Sequence, residues 1–225
     1  MEGTLFQGID DGVSSEENLK SYRAIRHDVV RKRQRDNSDS AHHPKQKENQ
    51  ILRCVGEMDK YLSHDIKILE LFAGRGNMTK VYKSLQKATV HAYDKTYLKT
   101  KDSYTVYHSL IGIGEVYDII DLDPYGFPNR LFPDIFLLIN DGLMFITMPK
   151  PYVNVLNGIT ATHLTAYYGT PNPSKEVIIN RIAMWGLCHW RQVELIDEID
   201  LGRLYRFCFK ITKVKATDYT GVRNR

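Results

Sequence analysis

A chain of 225 residues, 42% hydrophobic and 26% charged, has the size and composition of one globular domain with a short appendage. No apolar run is long enough to cross a bilayer, and the N-terminus MEGTLFQGIDDG carries acids where a secretory signal carries basic residues. Cys54, Cys188 and Cys208 are odd in number and widely spaced, with no CxxC pair, so the sequence argues against a disulfide framework or a cysteine zinc site; a cytoplasmic protein is expected.

The net charge of +4 is unevenly spread. Residues 1–19 hold five acids and no Lys or Arg, residues 20–50 hold nine Lys/Arg against four acids, and residues 203–225 hold seven against one. The positive charge therefore lies outside the central segment. Such clusters suit a phosphate backbone, or form a solvated face and tail.

In chain order, residues 21–35 predict a short basic helix, with Tyr22, Ile25 and Val29 at helical spacing. The polar stretch 36–50 reads as a loop or linker. The chain is thus expected to divide into an N-terminal extension, 1–50, and a main domain, 51–225. A helix is predicted over 51–62, from the stripe Ile51, Val55, Met58 and Leu62. A strand follows at 66–71, then a glycine turn and a helix over about 78–85. A second strand spans 89–93 and ends at Asp94. A short third strand is expected at 104–107 and a fourth at 116–122. A helix near 133–140 leads to a strand at 143–148. A helix over 174–187 precedes two closing strands, 193–199 and 204–211, joined by a turn at 200–202. This alternation predicts an α/β fold with a mostly parallel sheet and a C-terminal antiparallel hairpin.

Two motifs carry chemistry. The first is ILELFAGRGNMTKVY, residues 68–82, where Glu70, Phe72, Gly74 and Gly76 join a strand to a helix. Glycines here let the backbone turn tightly and approach a ligand. A helix start can receive a ligand carboxylate, and Glu70 can pair with a ligand amine, directly or through water. The third glycine of a dinucleotide fingerprint is replaced by Thr79. Asp94, at the end of the second strand, can accept ribose hydroxyls, with Lys95 and Tyr97 bounding the same pocket. The second motif is Asp121-Leu122-Asp123-Pro124-Tyr125-Gly126, directly after an apolar strand.

Together these motifs resemble the class I S-adenosylmethionine-dependent methyltransferases of the amino-group nucleic-acid type. Asp123-Pro124-Tyr125-Gly126 is similar to their D/N-P-P-Y/F signature, and the longer string is similar to the D-L-D-P-F-G of tRNA guanine-N2 methyltransferases. The resemblance covers about residues 51–212 as a fold; its specific motifs cover 68–79, 94 and 121–126. It implies a Rossmann-like domain, S-adenosyl-L-methionine as cofactor and RNA or DNA as partner, with no membrane. The implied cofactor residues are Glu70, Phe72, Gly74, Gly76 and Asp94, with Asp121 supporting either the cofactor or a helix end. The implied catalytic residues are Asp123 and the carbonyl of Pro124, which accept hydrogen bonds from an exocyclic amine, with Tyr125 stacking on the base. Gly126, Phe127 and Arg130 continue from this loop toward the substrate.

Guanine N2 in RNA is the expected target. DNA adenine N6 is the enzymatic alternative, and a noncatalytic nucleic-acid-binding subunit is the alternative of another class. The match departs from the tRNA guanine family in the wording of ELFAGRGNMT and in that family's greater length and extra RNA-binding region. It departs from the adenine enzymes in lacking their second proline. His108 and Ser109 are expected to approach the adenine edge. Residues 149–174, with Tyr152, Tyr167, Tyr168, Lys150 and His163, are expected either to guide the base or to pack. Trp185 and Trp190 are expected in the core. The histidines form no metal-ligand pattern.

Overall fold

The computed structural model describes residues 43–58, 65–151 and 160–215. The basic helix expected over 21–35 lies outside them. Helix α1 (Pro44–Met58) begins ahead of its expected start, so residues 44–50, read as polar linker, are helical and the division at residue 50 falls inside a helix. Its buried stripe is Lys47, Gln50, Ile51, Cys54 and Val55. The period is intact, but its first two positions are polar, which hides it from a reading based on apolar residues.

Strand β1 (Ile66–Leu71) leads through the glycine turn to α2 (Asn77–Ser84), and β2 (Ala88–Tyr93) follows. The expected third strand is a helix, α3 (Ser103–Ile113). Thr105, Val106 and Tyr107 favour strands locally, but Ser103, Val106, Tyr107 and Leu110 form one buried helical face. The Asp102 carboxylate caps this helix by accepting from Tyr104 N and Thr105 N, both at 3.1 Å. Strand β3 (Tyr117–Leu122) follows. The helix expected near 133–140 is one short 3-10 turn, Ile135–Leu138, preceded by another at Pro128–Arg130, and β4 (Ile139–Pro149) starts earlier than expected. Then come α4 (Ala161–Tyr168), α5 (Lys175–Cys188), β5 (Arg191–Asp200) and β6 (Leu204–Lys213).

The sheet order is β2-β1-β3-β4-β6-β5. β1 to β4 are parallel, and β6 runs antiparallel between β4 and β5. The expected mostly parallel sheet with an antiparallel closing pair is therefore the fold. Because strand side chains alternate, the sheet builds two cores. Leu69, Leu71, Ile120, Leu122, Met144, Ile146, Phe207 and Phe209 join the core that holds residues of α3, α4 and α5. Ile66, Ile68, Ile119, Leu143, Phe145 and Cys208 join the core that holds residues of α1 and α2. Trp185 packs half-buried against the first core, whereas Trp190 is 59% exposed. Trp190 sits at a left-handed φ of 58° just after α5, so the turn that starts β5 carries it outward.

The same alternation that fills the second core puts Glu70 on β1, Asp121 on β3, Thr147 on β4 and Arg206 on β6 along one face. Glu70 pairs in register with Asp121, and Thr147 with Arg206. A polar row thus crosses the sheet toward the carboxyl ends of its parallel strands, where open α/β sheets hold ligands.

Replacing the α3 cap, Asp102→Ala, is expected to cost about 1 kcal/mol and to lower Tm by about 2–4 °C. Thermal unfolding followed by circular dichroism checks this; an unchanged Tm would argue against a capped helix at this position.

Candidate active site

The site begins with the turn after β1. Phe72 takes a positive φ of 64°, followed by Gly74 at 55° and Gly76 at 75°. Left-handed backbone is natural for glycine and costly for phenylalanine, so Phe72 must be held. Its N–H donates to Ser103 Oγ at 3.0 Å, Ser103 Oγ donates to Tyr93 O at 3.0 Å, and its ring meets Tyr104 edge-on at 5.2 Å. A Cβ at Gly76 would press on Leu98 at 3.3 Å. Among the described residues no side chain caps α2 at Gly76, and no acid occupies its first turn. The first N–H groups of α2 therefore remain suited to an anionic ligand.

Asp94 organises the neighbouring loops. Its Oδ2 accepts from Gly74 N at 3.0 Å, and its Oδ1 accepts from Thr96 N and Tyr97 N at 2.8 Å each. The expected ribose contact must therefore share a carboxylate that already holds three backbone amides. Beside it opens a cleft with aromatic walls: Phe72, Tyr97, Tyr104 and Tyr125. Asp94, Lys95, Asp102, Ser103 and Pro124 also line it. Glu70, Gly74, Gly76 and Asp123 flank the cleft in the chain rather than lining it. His108 and Ser109 are exposed residues of α3, and Ser109 Oγ bonds the Thr105 carbonyl. The α3 residues that do reach the cleft are Asp102, Ser103 and Tyr104. The cap signal at Asp102, with the helical spacing after it, could have revealed them.

Behind the cleft lie three carboxylates. Asp121 is fully buried and paired with fully buried Arg206, through Nη1–Oδ1 at 3.0 Å and Nη2–Oδ2 at 2.7 Å. Tyr82 Oη donates to the same Oδ2 at 2.7 Å. Asp121 is therefore held in the interior by Arg206 and Tyr82. Arg206 also donates to Thr147 Oγ1 at 2.7 Å and, through Nε, to Gln50 Oε1 at 3.1 Å. Gln50 is fully buried, and its Nε2 has no partner among the described residues.

Asp123 is partly exposed, and its Oδ2 lies 2.5 Å from the ammonium of Lys47, a side chain only 3% exposed. Burial pushes the Asp123 carboxyl up, but Lys47 and Arg206 outweigh it and hold the group below its ordinary value. Nothing in the sequence flagged Lys47, which sits 76 positions from its partner in a polar stretch.

Glu70 differs from both aspartates. It is 3% exposed, accepts from Thr79 Oγ1 at 2.5 Å and has no ion pair among the described residues. Burial first, then the neighbouring charge of Asp121, pushes its carboxyl up to about 8.

The loop after β3 carries the remaining expected residues. Asp123 N bonds Leu71 O at 3.4 Å, which ties the loop to β1. The Pro124 carbonyl accepts from Gly126 N at 2.9 Å, so the acceptor expected for a substrate amine already has one donor. Tyr125 is 68% exposed and shares a hydrogen bond with Tyr97. Phe127 packs half-buried against the core, and Arg130 is exposed on the 3-10 turn. In the 149–174 segment, Tyr152 lies outside the described residues. Tyr168 is buried and donates to Asn129, Lys150 pairs with Asp200, and His163 joins the Thr160 cap of α4. Those three contacts are structural.

The raised carboxyl of Glu70 makes a pH prediction. The folded chain holds a proton that the unfolded chain releases near 4.5, so stability falls as pH rises from about 4.5 to about 8. The loss is on the order of a few kcal/mol. Glu70→Gln removes this component. Urea unfolding of both proteins between pH 5 and 8.5 is expected to give a steeper decline for wild type; parallel declines would mean that Glu70 is ionised in the fold.

No family model matches the chain, and no curated protein matches it. Among solved structures, Trm1 from Pyrococcus horikoshii in complex with S-adenosyl-L-methionine is similar with a TM-score of 0.56 at 11% identity, over 76% of this chain and 56% of that one. Trm5b from Pyrococcus abyssi gives a TM-score of 0.45 at 15% identity, over 72% and 49%. A SAM-dependent methyltransferase from Archaeoglobus fulgidus gives 0.44 at 14% identity, over 74% and 94%. The chain spans about half the length of the first two proteins. The sheet order, the glycine turn after β1 and the likeness to the first of these structures give one conclusion about architecture: the chain has the Rossmann-like fold of class I S-adenosylmethionine-dependent methyltransferases.

Proposed function

We propose that the chain is an S-adenosylmethionine-dependent methyltransferase that modifies an exocyclic amine of a nucleic-acid base, with guanine N2 in RNA as the favoured target. The observation that carries this reading is the Asp123-Pro124-Tyr125 loop, held at the end of β3 beside an aromatic cleft and next to the glycine turn. The string that contains it resembles that of the tRNA guanine-N2 methyltransferases, and the similar P. horikoshii protein is bound to S-adenosyl-L-methionine.

The residues present fit that cofactor. Glu70 is a buried acid without a cation among the described residues and suits an amine. The uncapped start of α2 suits a carboxylate, and Asp94 with the aromatic walls suits a nucleoside. When bound, S-adenosylmethionine supplies an electrophilic methyl group on a sulfonium centre.

The chain's own work is binding and orientation. Asp123 accepts a hydrogen bond from the target amine and turns its nitrogen lone pair toward the methyl carbon. The Pro124 carbonyl offers a second acceptor through its remaining lone pair. Tyr125 presents an exposed ring on which a base can stack, a contact worth about 1–3 kcal/mol and tolerant of sequence. Orientation and fixed dipoles account for such a transfer without a covalent intermediate.

Labelled methyl transfer from S-adenosylmethionine to separate RNA and DNA pools, followed by nucleoside mass analysis, tests the reading. N2-methylguanosine is the expected product. N6-methyldeoxyadenosine would move the target to DNA adenine, and cofactor binding with no labelled nucleoside would favour a noncatalytic subunit. Asp123→Ala is expected to lower turnover by about 100-fold or more with cofactor affinity retained. Asp94→Ala is expected to weaken cofactor binding; unchanged affinity there would remove the ribose role.

A further inference from the structure

The amine-orienting carboxylate does not stand alone. Lys47 reaches it from the start of α1, ahead of the residues that the resemblance covers. A buried lysine is costly unless its charge is paired, and the partner Lys47 finds is Asp123. One turn along the same buried stripe, Gln50 holds Arg206, which in turn holds Asp121. Helix α1 therefore lays two polar side chains on the polar row of the sheet. We infer that Lys47 is a positioning residue for methyl transfer: it takes one oxygen of Asp123 and fixes the carboxylate so that the target amine takes the other. This rests on the reading that Asp123 receives the amine.

The chemistry supports a supporting ion pair over a competing one. A carboxylate accepts about four hydrogen bonds, so one ammonium does not exhaust it. A carboxylate that rotates freely loses the alignment on which orientation depends. Lys47 also keeps Asp123 in the acceptor form. The groups around that carboxylate are Lys47 from α1, Arg206 from β6, Thr147 from β4, Glu70 from β1 and Tyr125 from its own loop; Lys47, Arg206 and the Thr147 hydroxyl favour its charge, and of these only Lys47 and Arg206 are cations. Arg206 is already committed to Asp121, so Lys47 is the cation dedicated to Asp123.

Lys47→Met and Lys47→Arg in the full chain test this with two readouts. In the first, the Asp123 carboxyl is titrated by carbon-13 NMR in the protein alone, with Asp123→Asn assigning the signal. Lys47→Met is expected to raise its midpoint by at least one pH unit and Lys47→Arg to leave it nearly in place. The second readout is the pH profile of methyl transfer to the RNA and DNA pools. Lys47→Met is expected to lower kcat about tenfold or more at pH 7 and to move the acid limb upward. The KM for nucleic acid and the affinity for S-adenosylmethionine are expected to stay within about twofold, and Lys47→Arg to restore most of the rate. An unmoved carboxyl midpoint, or Lys47→Met turnover at or above wild type, overturns the role of Lys47 alone. A wild-type chain that binds S-adenosylmethionine and methylates neither pool overturns the amino-transfer reading, and this inference with it.

Discussion

A guanidinium with no exposed surface dictates its surroundings. Arg206 is fully buried on β6, and removing such a charge from water costs several kcal/mol unless acceptors surround it. They do: both oxygens of Asp121, the hydroxyl of Thr147 and the amide oxygen of Gln50, with the Phe145 ring 5.2 Å away. These partners come from β3, β4 and α1. One ion pair therefore ties the antiparallel strand to the parallel half of the sheet and fastens α1 over it. Losing either partner would strand a buried charge, which is far costlier than losing an exposed pair.

The site inherits its geometry from that pair. Asp123 follows Asp121 by two residues, so anchoring the end of β3 also fixes the root of the Asp123 loop. The Asp123 N to Leu71 O contact brings that loop against the turn after β1. On the far side, Asp94 holds the same turn through Gly74 N. The strained φ of Phe72 is supported by Ser103 and Tyr104 of α3. The glycine turn is thus held from β2, β3 and α3, and the aromatic cleft opens where these supports converge.

Much of this was legible in the sequence, for identifiable reasons. β1, β2, β3, β5 and β6 are short apolar or alternating runs ended by turn residues, and local pattern suffices for those. The glycine turn and the Asp-Pro-Tyr-Gly loop carry backbone requirements in their own composition. What was hidden depended on distant partners. Asp121 resembles a ligand-binding acid until Arg206 arrives from 85 positions away. Lys47 and Gln50 look like linker because their polarity masks a helical stripe whose polar end meets a polar row. The start of α3 looks like a strand because threonine, valine and tyrosine favour strands locally, while burial of Ser103, Val106, Tyr107 and Leu110 on one face decides for a helix.

The charge balance of the polar row bears on which ligand the site prefers. Among the described residues, Glu70, Asp121 and Asp123 face two cations, Arg206 and Lys47. Each cation is spent on one aspartate, which leaves Glu70 over. The fold meets this excess by holding a proton on Glu70, whose carboxyl is pushed up to about 8. An ammonium group placed beside Glu70 would do the same work with a full charge, displacing the proton and gaining a charge-assisted hydrogen bond. A phosphate or a second carboxylate there would keep the proton on Glu70 and bring no opposite charge to it. The uncapped start of α2 has the opposite preference. A ligand bearing an amine and a carboxylate on one carbon suits both ends, and a dinucleotide pyrophosphate suits only one. That asymmetry separates this glycine turn from a nucleotide-phosphate loop on electrostatic grounds, independently of its spacing.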